Sequence, residues 1–151
     1  MTPEEARLAT IEHIKRVGHF LNVVAGELRR RATLHDATKL QSPEFEMFAG
    51  NTGQLNGLTY GSDEYEAQRK KMLGEALGHH YENNRHHPEH FEQGVDDMTL
   101  IDLMEMFCDW KAATERHADG DIFKSIEHNT GRFGLSEQLA QILRNTVKEL
   151  E

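Results

Sequence analysis

The sequence predicts an all-α fold, a single compact helical domain of about six helices over residues 1–151. Apolar residues recur at helical spacing along most of the chain, and no segment alternates with a period of two. The glycine, asparagine and proline clusters fall between the periodic segments, where breaks belong. With 37% hydrophobic and 28% charged residues, the chain is globular and long enough to bury one continuous core.

The elements follow in order. "TPEE" places Thr2 as N-cap, Pro3 at the first helical position and Glu5 as the partner in a capping box. A long amphipathic helix is expected from there to about Arg29 or Arg31. A second helical piece carries "LHDATKL" and stops before Pro43, because a residue preceding proline is pushed out of the helical region. "SPEFEMF" restarts a short helix. Residues 50–62, "GNTGQLNGLTYGS", read as an irregular surface loop, a candidate flap. Helix returns from Asp63 to about Glu82, and "NNRHHPEHFEQGVD" is a polar loop. A fifth helix is expected from about Met98 to His117 behind an Asp96/Asp97 cap. A short helix over residues 121–128 and a last one over 136–151 complete the count.

Composition narrows the function. A net charge of −9 argues against long nucleic acid as a partner, since phosphates call for a basic surface. No apolar run approaches the roughly 20 residues of a membrane span. "MTPEEARLAT" lacks a signal-peptide layout, and a single cysteine forms no internal disulfide, so the expected compartment is the cytoplasm. Ten histidines are many for this length, and His79, His80, His86, His87 and His90 fall close together. That concentration points to metal or phosphate chemistry.

Helical geometry then selects faces. Ile14, Val17, Leu21, Val24, Ala25 and Leu28 form one stripe, with His13 at its edge and His19 on the opposite side. In the fifth helix, Asp102, Glu105 and Asp109 share a face of a segment otherwise apolar nearly all round. Such a helix is expected to be buried, and its carboxylates then need cations: a metal, or ion pairs with Arg16, Arg85 or Arg116. Leu73, Leu77 and His80 follow helical spacing, which puts His80 on the core face, while His79 shares a face with Met72 and Ala76; either can turn inward, and the spacing slightly favours His80. His86 and His87 sit in a loop stiffened by Pro88 and are candidates for the wall of a site.

Collected in order, these residues resemble the HD-domain superfamily of metal-dependent phosphohydrolases, in the form of a small bacterial or phage-type member. "HIKRV" is similar to that family's first-helix phrase, "LHDATK" to its His-Asp phrase, and "CDWKAATER" to its last metal-binding segment. The resemblance spans about residues 11–116. It implies His13, His35, Asp36 and Asp109 as metal ligands, and Lys39 and Arg16 as phosphate contacts. It also implies Glu44 as an acidic general acid/base, with His80, His86 and His87 lining the site as further catalytic residues or as ligands of a second metal.

A site of imidazoles and carboxylates suits Mn²⁺, Co²⁺, Fe²⁺, Ni²⁺ or Zn²⁺. The expected activity is metal-dependent hydrolysis of a small phosphorylated metabolite, a nucleotide first among them, by attack of a metal-activated water. The alternatives are a nucleotide- or partner-binding regulator without turnover and a di-iron oxygenase on the same fold. A homodimer through the histidine loop or the last helix is the expected protein partnership, if any.

Overall fold

The computed structural model of the chain describes residues 1–54, 63–116, 118 and 120–150. Among them are six α-helices, three short 3-10 turns and no strand, so the architecture is all-α. The described residues group into two compact units, Met1–Leu34 and His35–Glu151.

The first unit is helix α1, Pro3–Leu34. It starts where "TPEE" places it. Thr2 Oγ1 accepts the Glu5 amide at 3.2 Å, and the Glu5 carboxylate accepts the Thr2 amide at 2.6 Å. Near the far end Glu27 accepts from Arg30 and Arg31 at 2.7–2.9 Å. These guanidinium contacts lower the Glu27 carboxyl to about 2. None of the α1 residues is buried.

The second unit begins with a departure from expectation. "LHDATKL" is not a second helical piece. Helix α1 runs on to Leu34, Asp36 adopts the left-handed region (φ 54°, ψ 17°), and Ala37–Leu40 form a 3-10 turn. An L-residue there is strained, and aspartate is among the few that tolerate it. Helix α2 then spans Glu44–Gln54 and α3 spans Asp63–Asn83, and the two pack together. Residues 50–54, expected in the loop, belong to α2; the rest of the expected flap, 55–62, lies outside the described residues.

The polar loop after α3 holds two 3-10 turns, Pro88–His90 and Gly94–Asp97. Helix α4, Leu100–Thr114, is capped by Thr99 rather than by Asp96 or Asp97. Thr99 makes a reciprocal capping box with Asp102, the interaction a threonine three residues ahead of an acid is built for. The helix stops at Thr114, short of the expected end, and His117 lies outside the described residues. It is also not buried all round. Asp102, Met106, Phe107 and Trp110 face inward, while Leu100 and Cys108 are exposed.

Helix α5, Ile122–Phe133, outlasts its expected end, and α6 spans Glu137–Val147. Asp121 and Ser136 cap their starts, and Gly134 ends α5 with the positive φ of 66° that a left-handed cap requires. The core gathers Met106, Phe107 and Trp110 of α4, Ile122 and Ile126 of α5, and Ala140, Leu143 and Val147 of α6. Trp110 stacks parallel to Phe133 at 6.3 Å. This packing fixes α4, whose remaining polar face carries the site.

Candidate metal centre

Five segments of the second unit converge on one polar cluster. The break after α1 brings His35, Asp36 and Lys39; the start of α2 brings Glu44. The end of α3 brings His79 and His80, the following turn brings His86 and His87, and α4 brings Glu105 and Asp109. Two ligand groups result. Asp36, His80, His86 and His87 form one; His35, His86 and Asp109 form the other, so His86 is common to both.

The first group is tight. His80 Nε2 lies 2.9 Å from His87 Nε2 and 3.3 Å from Asp36 Oδ1, and His86 Nε2 lies 3.4 Å from the same oxygen. Donors bound to one ion at about 2.0–2.2 Å stand roughly 2.8–3.1 Å apart at right angles and about 3.3–3.6 Å apart at tetrahedral angles. The observed separations fall in those ranges. In the second group His35 Nε2 is 3.6 Å from Asp109 Oδ1 and 3.6 Å from Asp36 Oδ2.

Behind the imidazoles stand carboxylates that orient them. Glu44 is fully buried; it accepts from His80 Nδ1 at 2.9 Å, His79 Nδ1 at 2.7 Å and the Thr38 hydroxyl at 3.0 Å. A neutral His80 ring that gives its Nδ1 proton to Glu44 presents a lone pair at Nε2, toward Asp36 and His87. Asn84 closes this layer, donating to Thr38 Oγ1 at 2.9 Å and to the His80 carbonyl at 2.8 Å. Glu105 does the same from the other side. It accepts from His35 Nδ1 at 3.0 Å and lies 3.3 Å from His86 Nδ1, which leaves His86 Nε2 as the free acceptor. Carboxylate-backed histidines of this kind are the usual second layer of metal sites.

One pair of atoms is decisive. Asp36 Oδ1 and His86 Nε2 are buried with no hydrogen-bond partner, and they face each other. With the His86 proton on Nδ1, toward Glu105, these are two facing acceptors that repel, and a buried acceptor left unsatisfied costs about 1–3 kcal/mol. A cation between them removes both penalties. The donor set of imidazole nitrogens and carboxylate oxygens fits a divalent first-row ion.

The electrostatics agree with a cation-seeking centre. Hydrogen bonds to Asp109 and Glu105 raise the His35 imidazole to about 10, against the opposing effect of burial. Burial would raise the Asp36 carboxyl, but His80 and Lys39, whose ammonium sits 2.6 Å away, hold it below its usual range. Burial likewise pushes the Asp109 carboxyl up, but the His35 contact outweighs it and the carboxyl is lowered. For Glu44 burial is again overcome by His79, Thr38 and His80, and its carboxyl is lowered. His87 moves the other way, to about 3, chiefly through burial and then through its His86 and His80 neighbours.

The structure thus brings together His35, Asp36, Lys39, Glu44, His80, His86, His87 and Asp109. His13 and Arg16 stand on α1, in the first unit; Arg16 lies over the Phe20 ring there, and neither ligand group of the described residues includes His13. Of the three acids on the α4 face, Asp102 takes the ion-pair role with Arg85 and the helix cap. His90 donates to the Tyr81 carbonyl at 2.8 Å and stays out of both groups. Glu105 is the residue that sequence reasoning did not single out as a site residue, although its place one turn before Asp109 was the available signal.

A family model covering residues 2–149 matches this chain; it is described as a family of unknown function, DUF5662. No curated protein and no solved structure matches. No helix among the described residues is long and apolar enough to cross a membrane.

Proposed function

We propose that this chain, which belongs to the DUF5662 family across nearly its whole length, is a metal-dependent phosphohydrolase acting on a small phosphorylated metabolite, a nucleotide first among candidates. The observation that carries the reading is the buried, partnerless pair Asp36 Oδ1 and His86 Nε2, set among further imidazoles at ligand spacing. Asp36, His80, His86 and His87 hold the ion, with His35 and Asp109 at the adjoining group. A bound divalent ion supplies a polarised phosphoryl oxygen and a water of lowered pKa.

The chain's own groups do the rest. Lys39 is 41% exposed at its side chain, so its ammonium reaches both Asp36 and an arriving phosphate. Glu44, buried behind His79 and His80, orients them and does not meet solvent, so its part is positioning rather than proton transfer to substrate. His13 and Arg16 enter the reading through the resemblance to HD-domain phosphohydrolases alone, which is itself part of the proposal.

The test is phosphate release by protein loaded separately with Mn²⁺, Co²⁺, Fe²⁺, Ni²⁺ or Zn²⁺, across nucleoside mono-, di- and triphosphates. Activity that disappears in Asp36→Ala and Asp109→Ala supports the reading. Silence of every metal-loaded form across the panel overturns it. The sharing of His86 between two ligand groups favours one second reading, a di-iron oxygenase. Two irons per chain with oxygen consumption and no phosphate release would select it.

A further inference from the structure

We propose that Arg85 and Asp102 form a positioning clamp that sets His86 and His87 against α4, and so sets the metal affinity of the centre. The inference rests on the metal-site reading above and adds to it two residues that touch no ligand atom.

The geometry is specific. Asp102 is fully buried, and Arg85 reaches it with two donors: Nε to Oδ1 at 3.2 Å and a terminal nitrogen to Oδ2 at 3.0 Å. Asp102 Oδ2 also accepts from the Thr99 amide at 2.9 Å and the Thr99 hydroxyl at 2.8 Å, which locks the carboxylate to the first turn of α4. The guanidinium lies over the Phe91 ring, 4.9 Å from its centroid, so the fork is held on a face as well as at its tip. A planar fork seated on two oxygens and one ring has little freedom left, and lysine cannot reproduce it.

Arg85 is the residue directly before His86. Asp102 is one turn before Glu105 and two turns before Asp109 on the same helical face. One bidentate contact therefore ties the turn that carries His86 and His87 to the helix that carries their carboxylate partners. Both ligand groups depend on that relation, because His86 belongs to each. The loop is also held by the 2.7 Å ion pair of Glu89 with Arg132 and the 2.8 Å bond from His90 to the Tyr81 carbonyl, but these reach α5 and α3 rather than α4.

The experiment measures Co²⁺ affinity and the visible absorption of the Co²⁺-loaded full chain. The variants are Arg85→Ala, Arg85→Lys and Asp102→Asn, with Ser136→Ala, which removes the cap of α6, as control. Arg85→Lys keeps the charge and loses the fork. Asp102→Asn keeps an acceptor for the cap and loses the ion pair. The clamp predicts Co²⁺ affinity lower by roughly 10–100-fold in all three, with an altered visible spectrum, as loss of an outer-shell partner does. Ser136→Ala lowers the Tm and leaves affinity and spectrum at wild-type values. Wild-type affinity and spectrum in folded Arg85→Lys and Arg85→Ala overturn the clamp. So does a loss of affinity in Ser136→Ala that matches theirs. Failure of the unmutated protein to bind Co²⁺ overturns the metal site itself, which keeps the two failures distinct.

Discussion

At Asp36 the backbone and the side chain both work against their ordinary preferences. Its φ of 54° and its partnerless Oδ1 persist because the surrounding histidines leave that oxygen nowhere else to go. His86→Ala removes the donor common to both groups, so metal content by elemental analysis should fall to background while the chain stays folded. Glu44→Gln should weaken metal binding by roughly 10–100-fold in calorimetric titration, since an amide no longer favours the His80 tautomer with its lone pair inward. Glu44→Ala, which also removes the carboxylate that accepts from the buried His80 and the part-buried His79, should cost about 1–3 kcal/mol in chemical denaturation. Protonation gives a further test, in EDTA-treated protein. His35 titrates at about 10 in the fold against about 6.5 unfolded, so its contribution is complete below pH ~6.5 and is lost as pH rises toward 10. His87 titrates at about 3, so its contribution is complete above pH ~6.5 and is lost as pH falls toward 3. The Tm of the EDTA-treated chain should therefore peak near neutrality and decline on both sides. A metal that replaces the His35 proton should flatten the alkaline decline.

Among the elements, α4 supplies two carboxylates to the cluster, Glu105 and Asp109. Its N-terminal turn is committed to the Thr99–Asp102 box and the Arg85 fork, its middle to Glu105 and its second half to Asp109. Thr99→Ala should cost about 1 kcal/mol of stability, read from the denaturation midpoint, because it removes the side-chain cap. The capping logic was legible in sequence for α1, where Thr2, Pro3 and Glu5 stand as a recognisable set. At α4 the choice between Asp96, Asp97 and Thr99 was not. All three are competent caps, and the 3-10 turn over Gly94–Asp97 decides by absorbing the aspartates first. The break at Asp36 was equally hidden. Nothing in "LHDATKL" forbids a helix, and the left-handed aspartate is stable only with Lys39, His80 and His86 around it.

For the whole molecule, a metal held at this centre would be coupled to folding, since the candidate ligands come from four segments that meet only in the folded second unit. A ligand at 100 times its Kd stabilises by about 2.7 kcal/mol, which for a chain of this size raises Tm by roughly 5–10 °C. Thermal scans with and without Co²⁺, repeated in His86→Ala, should show that rise only in the unmutated protein. Periodicity determined the helices and the sharing of one α4 face by Asp102, Glu105 and Asp109, because residues at that spacing must project together. It also slightly favoured His80 over His79 as the inward histidine. Only the tertiary structure decided their roles. Asp102 and Asp109 are equivalent in sequence, yet the helix start and Arg85 claim the first while His35 meets the second. Spacing along a helix fixes the direction in which a side chain points; what stands opposite depends on segments tens of residues away, and that partner determines whether an acid is a cap, an ion pair or a ligand.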